Sequence, residues 1–166
     1  MKITIEEVKE FLPHRDPFLF VDSISNISLG ADAAEKEKLE VKDVIGSSVI
    51  GHYFTRPDHP IFEGHFPDMP ILPGVVQVEM MAQMASFALM KVYPRWRELT
   101  MDVMLLAVNN AKFRKPVFPD MELEVHCTCE KVRGPFMTNT CQILHKGEVM
   151  SEASVMASVK FTEKES

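Results

Sequence analysis

"EGHFPDMPILPGVVQVEMMAQMASFALM", residues 63–90, decides how this chain folds. It begins irregularly, with Gly64 and prolines at 67, 70 and 73, and then becomes a long apolar segment. Pro73 and Gly74 open that segment, and proline suits a first helical turn because its missing N–H would have no partner there. From Val75 to Val92 the apolar residues run almost all the way round the helical wheel. A helix without a polar face of normal width is a buried one. It is expected to end near Tyr93-Pro94. Glu79, Gln83 and Ser86 fall at i, i+4 and i+7, so they share one narrow polar stripe on that helix.

On the N-terminal side, "ITIEEVKEFL" spaces Ile5, Val8, Phe11 and Leu12 as an amphipathic helix, with Thr4 as N-cap and Pro13 as stop. "PFLFVDSISNISLG" reads as a strand closed by Gly30, and "AAEKEKLEVKDVIG" as a strand pairing with it, although a helical period also fits. Residues 51–73 hold five prolines, three histidines and two glycines, a density that predicts one long structured loop. Loops of that length inside a compact domain tend to be functional. On the C-terminal side, "MDVMLLAVNNAKF", "ELEVHCTCEKV", "FMTNTCQILHK" and "EVMSEASVMASVKF" are strand-length runs separated by short breaks. Breaks so short predict a four-strand antiparallel meander. The expected class is α+β, a sheet wrapped around one buried helix, in a single domain over residues 1–166.

Composition narrows the function classes. The net charge of −6 argues against a generic nucleic-acid binder, which usually presents a basic domain. The first residues carry Glu6 and Glu7 where a signal peptide needs an apolar core. The longest apolar run is broken by Glu79, Gln83, Ser86 and Lys91, so no membrane span is expected. Cys127, Cys129 and Cys141 are too few and too clustered for a disulfide framework, which favours a reducing cytoplasm. Cys127 and Cys129 should point to one face of a strand as small buried side chains.

A carboxylate on a buried helix must be hydrogen-bonded, paired or protonated. Gln83 is placed to supply one bond to Glu79, and burial is expected to raise the acid's pKa, as suits a proton donor. The alternative is a structural acid satisfied by an arginine or a subunit interface. His65, in Gly64-His65-Phe66-Pro67, sits on the loop that feeds the helix. The N–H groups of Gly74 and Val75 at the helix start could hold an oxyanion, helped by the macrodipole. Imidazole, protonatable acid and oxyanion site together suit proton abstraction beside a carbonyl.

"LPHRDPFLFVD", "GHFPDMPILPGVVQVEMMAQMA" and "NNAKFRKPVFPDMELEV" resemble, in order, the β-hydroxyacyl-acyl carrier protein dehydratases of type II fatty-acid synthesis, over about Leu12 to Val159. The resemblance is to the non-isomerising members, since the isomerising relatives usually carry Asp where this chain has Glu79. It implies the hotdog fold and a homodimer, or trimer of dimers, with an active site at the dimer interface. His65 of one subunit would take the C2 proton of a 3-hydroxyacyl thioester. Glu79 of the other would assist departure of the C3 hydroxyl. Gly74 or Val75 would hold the thioester carbonyl, with Phe66 and Gln83 also against the substrate. The implied partner is an acyl carrier protein bearing a 3-hydroxyacyl chain, and no cofactor is implied. Asp68-Met69-Pro70, Pro119-Asp120-Met121, Asn109 and the run Met104, Leu105, Leu106 depart from the family's usual residues and bear on acyl chain length.

A hotdog thioesterase would share fold and substrate class, and a non-catalytic acyl-binding or assembly subunit would share the scaffold. His52, His59 and His65 with Asp58 and Asp68 match no standard zinc spacing, so no metal is expected. The twelve methionines read as core or tunnel filler. Two basic groups, Lys91, Arg95 and Arg97, and Lys112, Arg114 and Lys115, are candidates to meet an acidic carrier. The second is the stronger, because no acid follows it before Asp120.

Overall fold

The computed structural model describes residues 2–164. Helix α1 spans Ile5–Phe11, and the Thr4 N–H donates to the Glu7 carboxylate at 3.2 Å. That bond satisfies a donor at the exposed helix start and fixes where the helix begins. Strand β1 is Ser23–Ser28, shorter than the sequence reading, because residues 17–22 run as an irregular segment before it. "AAEKEKLEVKDVIG" is not a strand. It forms helix α2, Ala31–Ala34, and a 3-10 turn at Val41–Val44, in which the Asp43 carboxylate accepts from the Glu40 N–H at 2.8 Å and from Lys36 at 2.5 Å.

The strand that pairs with β1 is β2, Ser48–Phe54. Its second half lies inside the segment expected to be loop. Gly51 explains the misreading: it looks like a turn residue, yet a β-carbon there would strike the Met84 sulfur and the Ile24 side chain. The glycine marks close approach of the long helix to the sheet. Only residues 55–73 remain a connection, and they contain one short helix, α3, Ile61–Gly64.

The long helix α4 runs Gly74–Ala85 and continues as 3-10 turns through Lys91. Met80, Met81, Met84 and Phe87 on it are fully buried. Strands β3 (Leu99–Phe113), β4 (Glu122–Arg133), β5 (Phe136–His145) and β6 (Glu148–Glu163) follow the sequence reading within two residues. All neighbouring pairs are antiparallel, in the order β1-β2-β4-β5-β6-β3. The simple meander is therefore wrong in one respect: β3 pairs with β6 at the far edge and not with β4. Residues 114–121 make the crossing. Eight extended residues reach roughly 28 Å, whereas three strand spacings need only about 14 Å. The link passes the start of α4, tied there by the Leu72 N–H to the Val117 carbonyl at 2.7 Å.

The expected α+β architecture, the hotdog arrangement of a sheet curled round one helix, is present. Cys127, Cys129 and Cys141 are buried and unpaired, and Cys127 and Cys141 face each other across β4 and β5. Burial pushes the Cys129 thiol up to about 11, which leaves it unreactive as a nucleophile near neutral pH.

Candidate active site

His65 follows α3 directly, at the C-cap where the chain leaves helical geometry. Its Nδ1 lies 2.9 Å from the Ile71 carbonyl oxygen. A carbonyl only accepts, so Nδ1 carries the proton, and in the neutral imidazole Nε2 is left as the free base. The loop closes on itself through the Ile71 N–H to the His65 carbonyl at 2.9 Å. Phe66 stacks on the His65 ring with centroids 4.0 Å apart while remaining half exposed.

One open cavity of about 430 Å³ joins His65 to the start of α4. Its walls include Gly74, Val75, Gln77, Phe113 and Arg114. The first ladder donors of α4 are Val76 and Gln77, both to the Pro73 carbonyl at 3.1 Å. The N–H groups of Gly74 and Val75 come before that ladder, as a helix start requires. Histidine base and helix-start donors thus line one space.

Glu79 lies elsewhere. It and Gly74 are five residues apart, about 140° round the helix and about 7.5 Å along it, so Glu79 faces a second cavity. That space, about 80 Å³, is lined by His14, Glu79, Gln83, Ser86, Val103 and Leu105 among others. Within one chain, His65 and Glu79 do not share a cavity.

Gln83 organises the second space. Its Oε1 accepts from the Phe20 N–H at 2.9 Å, and its Nε2 donates to the Phe18 carbonyl and to Glu79 Oε1, each at 2.9 Å. The backbone on both sides of Phe18–Phe20 fixes the amide's orientation, so a nitrogen must face Glu79. Ser86 donates to the Gln83 carbonyl at 2.7 Å and completes the stripe read from the sequence.

His14 was not singled out in the sequence, although it lies inside "LPHRDPFLFVD". Its Nε2 lies 3.2 Å from Glu79 Oε1, with both side chains one-fifth exposed. The expected rise in the acid's pKa is corrected by this contact. The His14 imidazole holds the Glu79 carboxyl below its ordinary value, burial opposes it, and Gln83 adds to the lowering. No spacing signal could have found His14, since it reaches Glu79 across 65 residues. Among the described residues, no group of three or more His, Cys, Asp or Glu side chains is placed to hold a metal ion. No helix among them is long and apolar enough to cross a membrane.

Comparison with known proteins places the geometry in context. Residues 42–162 match the ApeI-like dehydratase family. The chain is 32% identical over 160 residues to the 3-hydroxyacyl-[acyl-carrier-protein] dehydratase FabZ of Rickettsia akari, covering 96% of this chain and 98% of that protein. It is 37% identical over 153 residues to the enzyme of the same name from Agrobacterium fabrum, covering 92% and 87%. Among solved structures, the dehydratase heterocomplex ApeI:P from Xenorhabdus doucetiae superposes with a TM-score of 0.66 at 17% identity, over 91% of this chain and 89% of that one. A putative thioesterase from Lactococcus lactis superposes at 0.59 and 10% identity, over 87% and 96%. At such identities the structural likeness concerns the fold alone.

Proposed function

The chain belongs to the family of 3-hydroxyacyl-acyl carrier protein dehydratases, and from that premise we propose that it removes water from a (3R)-3-hydroxyacyl chain on acyl carrier protein, giving the trans-2-enoyl thioester in fatty-acid biosynthesis in the cytoplasm. His65 Nε2 takes the C2 proton. The N–H groups of Gly74 and Val75 bind the thioester oxygen as negative charge gathers on it. Glu79 gives a proton to the C3 hydroxyl, which leaves as water. The proton abstracted and the proton donated balance, leaving imidazolium and carboxylate to be reset by solvent. Phe66 walls the thioester side, and Gln83 serves the substrate through the carboxyl it holds.

The observation that carries this reading is the division of the chemistry into two half-sites. The base and the oxyanion donors line one cavity, and the acid lines another on a different face of the same helix. A homodimer joined through β3, alone or within a trimer of dimers, would bring one chain's His65 to the other's Glu79. Supporting that assembly, β3 is an edge strand of 15 residues with Met104, Leu105, Leu106 and Val108 exposed.

The test is a pair of variants assayed for enoyl product on a 3-hydroxyacyl thioester. His65→Ala and Glu79→Gln should each lower turnover at least about a hundredfold, the lower scale for acid–base groups. Mixing the two inactive variants should restore part of the activity, because one interface then holds both native groups. Near-native turnover in either variant would remove that residue from the mechanism, and failure of the mixture to recover would place both groups in one chain.

A further inference from the structure

Both contacts to Glu79 fall on one oxygen. Gln83 Nε2 donates to Oε1 at 2.9 Å, and His14 Nε2 approaches the same Oε1 at 3.2 Å. Oε2 has no partner among the described residues. Among the same residues His14 makes no other side-chain bond: its Nδ1 is buried without a hydrogen-bond partner. An imidazole held for structure would be expected to use both nitrogens, since a buried unpaired polar atom is costly. Among the described residues the only polar contact of the ring is the carboxylate.

The surroundings isolate the pair. The α4 side of the cavity contributes Glu79, Ala82, Gln83 and Ser86. β3 contributes Val103 and Leu105, β6 contributes Ala157, and the segment after α1 contributes Leu12 and His14. Among the described residues no other charged or titratable side chain lines that space, and of the groups acting on Glu79 there the His14 imidazole has the largest effect, ahead of burial and Gln83.

We propose that His14 is a positioning residue for the dehydration, holding Oε1 of Glu79 so that Oε2 faces the departing hydroxyl and steadying the carboxylate left when Oε2 gives up its proton. The inference rests on the reading of Glu79 as the acid. In the step itself, the C2–H bond breaks to His65 and the C3–O bond breaks as the hydroxyl takes the Oε2 proton. His14 gains and loses no proton; its Nε2–H strengthens its bond to Oε1 as negative charge appears there. A donor aimed at the conjugate base makes the carboxylic acid a stronger acid, which eases the proton transfer itself while lowering the fraction of Glu79 that carries the proton near neutral pH. The same bond favours the ionised form in the resting chain.

The sign of the test follows. Turnover that needs protonated Glu79 falls as pH rises through that group's pKa. His14 lowers this pKa, so removing the imidazole raises it, and the alkaline limb of the kcat profile moves to higher pH. In His14→Ala we expect that upward shift together with a fall of about tenfold in the plateau kcat and little change in KM. His14→Asn, which keeps an N–H donor, should recover part of the loss, and it also serves if the alanine variant folds poorly. Thermal unfolding of each variant reports any purely structural role, which would lower Tm and leave the limb in place. A limb unmoved in both variants would overturn the proposal. Glu79→Gln separates the two layers. If that variant is inactive while both His14 variants keep the native profile, only the positioning role fails. If it is active, the acid assignment fails and the positioning role with it.

Discussion

Phe113, the last residue of β3, lies over Gly74 so closely that a β-carbon on the glycine would sit 2.8 Å from the ring. The contact joins the sheet edge to the start of α4, beside the cavity that holds His65. It also explains the glycine: a bare Cα at the first helical position lets the ring close over the donors. Gly74→Ala must displace that ring. Phe113 is half exposed, so its ring can swing outward at little cost. We therefore expect a stability change within about 1 kcal/mol, ordinary for a site where the neighbour can move. If the cavity receives the thioester as proposed, its wall moves with the ring, and KM should rise several-fold. Thermal unfolding and steady-state kinetics on the same preparation check this, and Gly74→Ala with Phe113→Leu should regain part of the loss. An unchanged KM would mean that the ring does not border bound substrate.

The edge of β3 leads to a statement about assembly. Covering a large apolar side chain contributes roughly 1.5–3 kcal/mol, and Met104, Leu105, Leu106 and Val108 are all partly or largely uncovered in a single chain. The protein should be a dimer or a trimer of dimers in solution and never a stable monomer. Met104→Lys with Leu106→Lys should shift it toward monomer and remove activity in parallel. Light scattering at micromolar concentration measures the assembly, and enoyl formation by the same preparations measures the activity. A wild-type monomer with full turnover would end the shared-site reading.

Carrier docking is the third expectation, and tertiary structure alters its terms. Along the sequence, "KFRKP" has no nearby acid. In space, β6 supplies two: Arg114 donates to Glu152 at 2.8 Å, and Lys115 pairs with Glu148. Arg95 and Arg97 are likewise paired, with Glu98 and with Glu7 and Glu10. These exposed pairs are weak and screened, so the cations remain available to an acidic carrier. Arg114→Glu with Lys115→Glu should raise KM for carrier-bound substrate and flatten its salt dependence. Glu148→Gln with Glu152→Gln, which frees the cations, should do the opposite, because steering charges act mainly on encounter. A short pantetheine thioester should respond to neither pair of changes. Equal losses on both substrates would show that these residues support the fold instead.

Much of the molecule is legible because the signals are local. The apolar run after Pro73-Gly74 dictates a buried helix whatever surrounds it, since no face of it could be left in water. The alternating runs from 99 to 163 dictate strands for the same reason. Glu79, Gln83 and Ser86 share a face by helical arithmetic alone, and His65 stands out through the irregular segment that carries it. What failed depended on partners distant in sequence. Gly51 sits in a strand because α4 presses on it, a cause invisible at position 51 itself. β3 lies at the far edge because eight residues suffice to cross a curled sheet, which strand patterns do not encode. The ion pairs of Arg114 and Lys115 exist only once β6 lies beside β3. The state of Glu79 was misjudged for the same reason: burial was foreseeable from its helix, but the imidazole that outweighs burial arrives from residue 14. Periodicity fixes what each segment buries, whereas the charge, pairing and aim of a buried group are set by whatever the chain brings back to it.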